Sequence, residues 1–258
     1  MTNFARGDKI LNERTLITVK KQMKENGEFL ECEKLWIFML MIAVGGFFGA
    51  YTYNLKGKVF CNAQTANFVM LAVQLGELNL SRAVYYLIPI SAYLLGAVLS
   101  EFLPKRVNSL ELLRWDTFFV GFEMLAVLAI GFVPDGAPPQ ICQVAVNFIA
   151  SMQYNTFRRA ENVPMATTFC TNHLRQVGIN AVKWVHHGSA AAKHKLFMHI
   201  LMLISFIAGG ILSTYLCIHF KGKAIWWSEI LLFIVFADFL RADLGAEKGK
   251  IHVVPHGH

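Results

Sequence analysis

LWIFMLMIAVGGFFGAYTYNL, residues 35–55, carries no charged side chain from end to end. Crossing the hydrocarbon core of a bilayer takes about 20 mostly apolar residues in a helix, so this stretch reads as a membrane span. Further uncharged blocks lie at 83–100, 136–157 and 196–220. Working outward, the chain of 258 residues is 55% hydrophobic and 16% charged, with a mean hydropathy of +0.44. Soluble globular chains carry about 25% charged residues. This balance argues against a soluble enzyme, a disordered chain and a disulfide scaffold. It predicts an integral, multi-spanning membrane protein of the all-α class.

The net charge is +7, but the basic residues fall between the apolar blocks. Lys and Arg in such loops set orientation in the membrane, so the lipid bilayer is the expected partner and nucleic acid is not. Cys32, Cys61, Cys142, Cys170 and Cys217 are scattered without paired spacing. They read as small packing residues rather than a zinc site or a disulfide framework. Residues 1–34 are polar, with a helix-capable stretch from Glu13 to Lys34 and no apolar run followed by a cleavage site. They are expected to form an N-terminal cytoplasmic segment ahead of an uncleaved signal anchor.

Eight hydrophobic elements can be drawn between residues 35 and 243: 35–54, 60–76, 83–103, 115–134, 139–157, 164–184, 196–219 and 224–243. Two are weak spans. The second opens with Asn62, Gln64, Thr65 and Asn67, and the sixth holds His173, Arg175 and Lys183. An Arg at a helix centre costs about 2.5–3.5 kcal/mol on insertion scales. If these two enter and leave by one face, Lys105, Arg106, Arg114, Arg158, Arg159, Lys193, Lys195, Arg241, Lys248 and Lys250 share a side. The pairs Lys56/Lys58 and Lys221/Lys223 are left on the other. The positive-inside rule then predicts six transmembrane helices plus two short re-entrant or half helices, with both termini cytoplasmic. Trp36, Trp115, Trp184, Trp226 and Trp227 stand near element ends, where an interfacial belt would place them. The membrane domain, 35–243, divides into halves 35–134 and 139–243, followed by a cytoplasmic tail, 244–258. Three crossings per half give the halves opposite orientation, the arrangement of an inverted repeat.

Two pairs of motifs carry a resemblance. Gly46-Phe47-Phe48-Gly49-Ala50-Tyr51 is followed by Asn62-Ala63-Gln64-Thr65-Ala66-Asn67. In the second half stand Ser151-Met152-Gln153-Tyr154-Asn155-Thr156-Phe157-Arg158 and Val163-Pro164-Met165-Ala166-Thr167-Thr168-Phe169-Cys170-Thr171. Together they resemble the signatures G-F-x-D-A-Y, N-A-Q-T-G-N, G-M-Q-N-A-T-F-R and V-P-x-A-T-T-F-C-T of the YoaK-like bacterial membrane proteins, over roughly residues 35–243. This chain has Gly49 where the family has Asp, Ala66 where it has Gly, and Thr171-Asn172-His173 where it has a second T-G-N. The resemblance implies a transport-like fold in the bacterial cytoplasmic (inner) membrane. The family is a domain of unknown function, so it implies no substrate.

The candidate site is the pair of short polar elements: Asn62, Gln64, Thr65 and Asn67 against Thr167, Thr168, Thr171, Asn172 and His173, with Gln153 and Asn155 alongside. Short helices that start inside a membrane leave free N–H groups and positive dipole ends, which suit an anion or a polar solute. The competing reading is small polar residues that only join helices. Glu123 lies two turns inside its span and is either a proton-coupling acid or one half of a buried pair with Arg158, Arg175 or Lys183. Gln143, Asn147, Gln153 and Asn155 cover more than one face of their helix, so some should pack rather than line a path. Asp238 and Arg241 are spaced as a local surface pair.

His186, His187 and His194 in one loop, and His252, His256 and His258 in the tail, lack any spacing that fixes ligand geometry. No metal and no cofactor are expected. No nucleophile elbow, phosphate loop, HExxH or nucleotide fingerprint is present, so the chain is not expected to be an enzyme. The expected function is passage of a small polar or anionic solute, as carrier or channel. The alternative is a non-transporting scaffold or partner subunit, and either reading leaves room for a homo-oligomer.

Overall fold

The computed structural model describes residues 29–253 and residue 255. Most of the stretch from Glu13 to Lys34 lies outside the described residues, as do His256 and His258. Nine α-helices follow in order: α1 (Leu35–Leu55), α2 (Thr65–Gly76), α3 (Leu80–Phe102), α4 (Pro104–Asn108), α5 (Trp115–Gly131), α6 (Pro139–Thr156), α7 (Thr171–His187), α8 (Ala190–Phe220) and α9 (Ser228–Leu244). Single 3-10 turns occupy Glu31–Glu33 and Lys221–Trp227. Three helical stretches, Leu35–Leu55, Leu80–Asn108 and Ala190–Leu244, are long and apolar enough to cross a membrane. The protein is a nearly all-α membrane protein.

Element boundaries follow local chemistry. Asn79 starts α3 by accepting from the Arg82 amide at 3.2 Å. Ser189 starts α8 by accepting from the Ala192 amide at 3.2 Å, so this helix begins before its apolar run. α7 closes on Gly188, whose φ of +60° is the left-handed cap that glycine takes cheaply. The exception to all-α is a two-residue antiparallel ribbon, Arg159–Ala160 with Val163–Pro164. Its turn needs positive φ at both central residues, and Glu161 (φ 47°) and Asn162 (φ 67°) supply it. Glu161 is pinned there: its amide donates to Glu33 O at 2.9 Å and its carboxylate accepts from the Leu35 amide at 3.2 Å. The ribbon delays the start of the sixth element from residue 164 to Thr171. The second likewise becomes helical only at Thr65.

The two most extensive helix contacts are α1 on α8 and α3 on α6. Ala43 and Gly46 stand 105 positions before Phe148 and Ser151, while Tyr93 and Gly96 stand 113 before Phe206 and Gly209. The two crossings match residue for residue on these shifts. A Cβ on Gly209 would lie 1.9 Å from Ala43 O, and one on Gly96 would lie 2.5 Å from Phe148 O. A Cβ on Gly46 would lie 2.1 Å from Phe206 O, and at the matching place Ser151 Oγ donates to Tyr93 O at 2.6 Å. Small residues let backbones touch, which is how membrane helices associate when lipid is as apolar as Leu.

At one end of the bundle Arg114, 2% exposed in its side chain, gathers buried carboxylates. Its Nε lies 3.2 Å from Asp116, 3.8 Å from Glu247 and 4.0 Å from Asp243. Nη1 donates to Lys250 O at 2.9 Å, and the Arg114 amide donates to Asp243 at 3.0 Å. Burial pushes the Glu247 carboxyl up, while the Glu31 amide and Arg114 pull it back down. The Glu31 amide reaches Glu247 at 2.7 Å, so residues near both ends of the described chain meet at this point. Above it Phe38, Phe119, Phe157 and Phe239 pack ring to ring at 6.0–6.2 Å. Trp115 belongs to this core rather than to an exposed belt: it is buried, with Nε1 donating to Thr156 at 3.0 Å. Trp36, Trp184 and Trp227 are exposed.

Candidate functional site

Asn62 and Thr168 each stand three residues before a short helix, α2 and α7 respectively, and they touch. Asn62 Nδ2 donates to Thr168 O at 2.6 Å and to Gly45 O on α1 at 3.1 Å. Gln153 on α6 repeats the device, with Nε2 donating to Met41 O at 2.9 Å and Thr167 O at 3.4 Å. Gly45 makes room for this packing, because a Cβ there would lie 2.3 Å from Thr167 O. Neither α2 nor α7 has a side-chain cap on its first turn. The non-helical approach to each helix is held instead by amide side chains bonding its carbonyls.

A string of amides leads away from this centre along α6. Asn67 donates to Gln64 at 2.9 Å, Gln64 to Asn147, Asn147 to Gln143 O at 2.7 Å, and Gln143 to Lys56 O at 2.6 Å. Tyr85 OH donates to Gln143 Oε1 at 3.0 Å. Asn62, Asn67, Gln143, Asn147, Gln153, Thr167 and Thr168 are all buried. Among the described residues, Gln153 Oε1 and the hydroxyls of Thr167 and Thr168 have no hydrogen-bond partner. Buried polar atoms are nearly always paired with protein or water, and these three orphans lie around one contact.

The remaining candidates lie elsewhere. Thr65 and Thr171 are exposed at the first turns of their helices. Asn172 accepts from Arg175 at 3.0 Å on an open face. Asn155 belongs to a rim cluster in which Arg158 reaches Glu101 at 2.6 Å and Asn155 Oδ1 at 2.6 Å. His173 is buried against His199, Nδ1 to Nδ1 at 2.9 Å, with Nε2 at 2.7 Å from Ala166 O. The Ala166 amide also lies 3.3 Å from His173 Nε2, so the donor and acceptor roles of the two rings follow the tautomer. Neither Arg158 nor Arg175 joins Glu123. That residue is 0% exposed on α5, and neither of its oxygens has a hydrogen-bond partner among the described residues. The local pair Asp238–Arg241 forms at 3.0 Å. The described residues include no group of three or more His, Cys, Asp and Glu able to hold a metal ion.

Sequence reading overlooked Tyr85, His199 and Gly45. His199 is a lone polar ring in an apolar block, and Gly45 is one half of a glycine pair; both carried a faint signal.

The apolar helices place the chain among the helical membrane proteins. It belongs to the family described as protein of unknown function (DUF1275), whose pattern matches residues 37–237. Neither the curated proteins nor the solved structures yield a match.

Proposed function

We propose that the protein carries a small polar or anionic solute across the bacterial inner membrane, with the Asn62–Thr168 contact as the binding centre. The observation that carries this reading is the set of three orphaned polar atoms where two uncapped helices begin. Uncapped N–H groups and the positive ends of α2 and α7 favour negative or electron-rich solute atoms. The reading includes six crossings, with α2 and α7 as half helices, both termini cytoplasmic, and an inverted repeat. The residue-for-residue match of the α1/α8 and α3/α6 crossings supports the repeat, since a two-fold exchange of halves turns one crossing into the other. The scaffold reading draws its support from the same amides: Asn62 and Gln153 bond backbone carbonyls, as packing polar residues do.

Two experiments divide these readings. Reporter fusions at Gly136 and Gly188, both with open space around them, should report opposite sides, with Gly188 cytoplasmic. Labelling of position 188 from outside intact cells would end the six-crossing arrangement. For the site, purified protein is screened for thermal stabilisation by small inorganic anions, carboxylates and polyols. Thr167→Val and Thr168→Val should each weaken the response to a stabilising solute by about 0.5–1.5 kcal/mol, the net worth of a hydrogen bond. Under the scaffold reading neither hydroxyl has a partner to lose, so both variants would keep or gain stability and no solute would discriminate them.

A further inference from the structure

Glu123 sits in the middle of α5, wholly buried, with both carboxyl oxygens unpartnered. The elements packed on α5 are α4, α6, α9 and the Lys221–Trp227 turn. α6 has no Asp, Glu, Lys, Arg or His. α4 carries Lys105 and Arg106, outside the buried core. The turn carries Lys221 and Lys223, both exposed. On α9, Asp238 pairs with Arg241, and Asp243 is held by the Arg114 amide and by Thr117. That leaves Glu229, in the first turn of α9, as the charged group acting on Glu123, and it too is a carboxylate. Its Oε1 is buried and also without a partner.

An isolated carboxylate in a dry interior is untenable, because desolvation of the charge costs far more than any surrounding dipole returns. With no cation near Glu123 among the described residues, the species that satisfies the site is a proton. Glu229 stands at the end of the bundle where Trp226 Nε1 donates to Leu128 O at 3.0 Å. Glu123 lies about two helical turns further in along α5. From these positions we propose that Glu123 is a proton-binding site that loads and unloads through Glu229 from the Trp226 end of the bundle. In each transfer one carboxyl O–H bond breaks and one forms on the other residue, with water entering from that end relaying the proton between them, so the charge of the pair is unchanged. The role as a coupling proton rests on the transport reading above; the proton site itself does not.

The test uses the full chain in lipid nanodiscs. Dicyclohexylcarbodiimide reacts with protonated carboxyls in apolar surroundings, and peptide mass mapping locates the adduct. Glu123 should be modified, with the yield falling as pH rises, and Glu123→Gln should lose the adduct. Infrared spectroscopy of wild-type protein should show a protonated carboxyl whose exchange with deuterated buffer slows at least tenfold in Glu229→Gln. Because labelling and exchange are read on wild type and Glu229→Gln, the result stands even if Glu123→Gln does not fold. An unlabelled Glu123 at every pH, or exchange unaffected by Glu229→Gln, overturns the proposal. If labelling and exchange are as expected but proteoliposomes show no proton-linked solute movement, the proton site stands and the transport reading falls.

Discussion

Arg114→Met should cost about 3–5 kcal/mol of stability, the usual penalty for removing one partner from a buried ionic cluster. The variant keeps much of the apolar stem but leaves Asp116, Asp243 and Glu247 close together with no cation between them. Thermal unfolding in detergent would register the loss as a large drop in midpoint, accompanied by poor accumulation in the membrane. The deficit should shrink on acidification. Burial already holds the Glu247 carboxyl up, and without Arg114 nothing cationic in the cluster pulls it back. A carboxyl raised in the folded state binds its proton more readily there than in the unfolded chain. Folding therefore gains stability as pH falls through the folded-state value. Arg114→Lys should fall between, because an ammonium supplies charge without the planar fork that reaches Asp116 and the carbonyls of Lys250 and Val253. A midpoint for Arg114→Met equal to wild type at neutral pH would mean that the cluster is not holding this end together.

The second large effect concerns the glycine crossings. Alanine in a helix interior is ordinarily better than glycine by about 1 kcal/mol. At Gly209 that gain is overridden, since the new methyl would lie 1.9 Å from Ala43 O, a backbone atom that moves only if α1 and α8 separate. The net expectation is a loss of about 1–3 kcal/mol. Gly210, one residue on, has its nearest atom at 3.6 Å, so Gly210→Ala should be neutral or gain. Gly96→Ala at the matching crossing should lose as Gly209→Ala does, because Phe148 O stands 2.5 Å away. Unfolding midpoints of the three variants side by side decide the matter. A Gly209→Ala variant as stable as Gly210→Ala would show that the backbones do not touch.

Much of the fold was legible because membrane insertion leaves so plain a mark. The uncharged run at 35–55 became α1, and in the second and sixth elements the helix starts only at Thr65 and Thr171, after part of the polar opening. What could not be read was where helix begins inside them. Asn62, Thr167 and Thr168 look like weak helix residues in any sequence; only the fold shows that carbonyls of Thr167 and Thr168 are bonded by side chains from α6 and from ahead of α2. The hydroxyls of Thr65 and Thr171 sit at matching places in the sequence, yet both are exposed, because the helix turns them away from the contact that their neighbours make. That Glu123 meets no cation among the described residues was equally hidden. Arg158 and Arg175 were the nearest cations in composition, but Arg158 is taken by Glu101 and Arg175 by Asn172. Gly46 and Ser151 stand at matching places in the two crossings but make their contacts with different chemistry.

The bond from the Glu31 amide to Glu247 spans 216 positions, and the one from Arg114 Nη1 to Lys250 O spans 136. On the ribosome, Glu31 and Arg114 emerge long before the carboxylate and carbonyl that complete them. Until residues 243–247 have been made, the guanidinium has Asp116 for company but neither Asp243 nor Glu247. The helices must therefore insert and find one another by apolar contact and backbone fit, and the polar end closes afterwards. Contacts of such long range reward the chain only once their loop entropy has been met, so this end of the bundle closes only after residues 243–250 have been made.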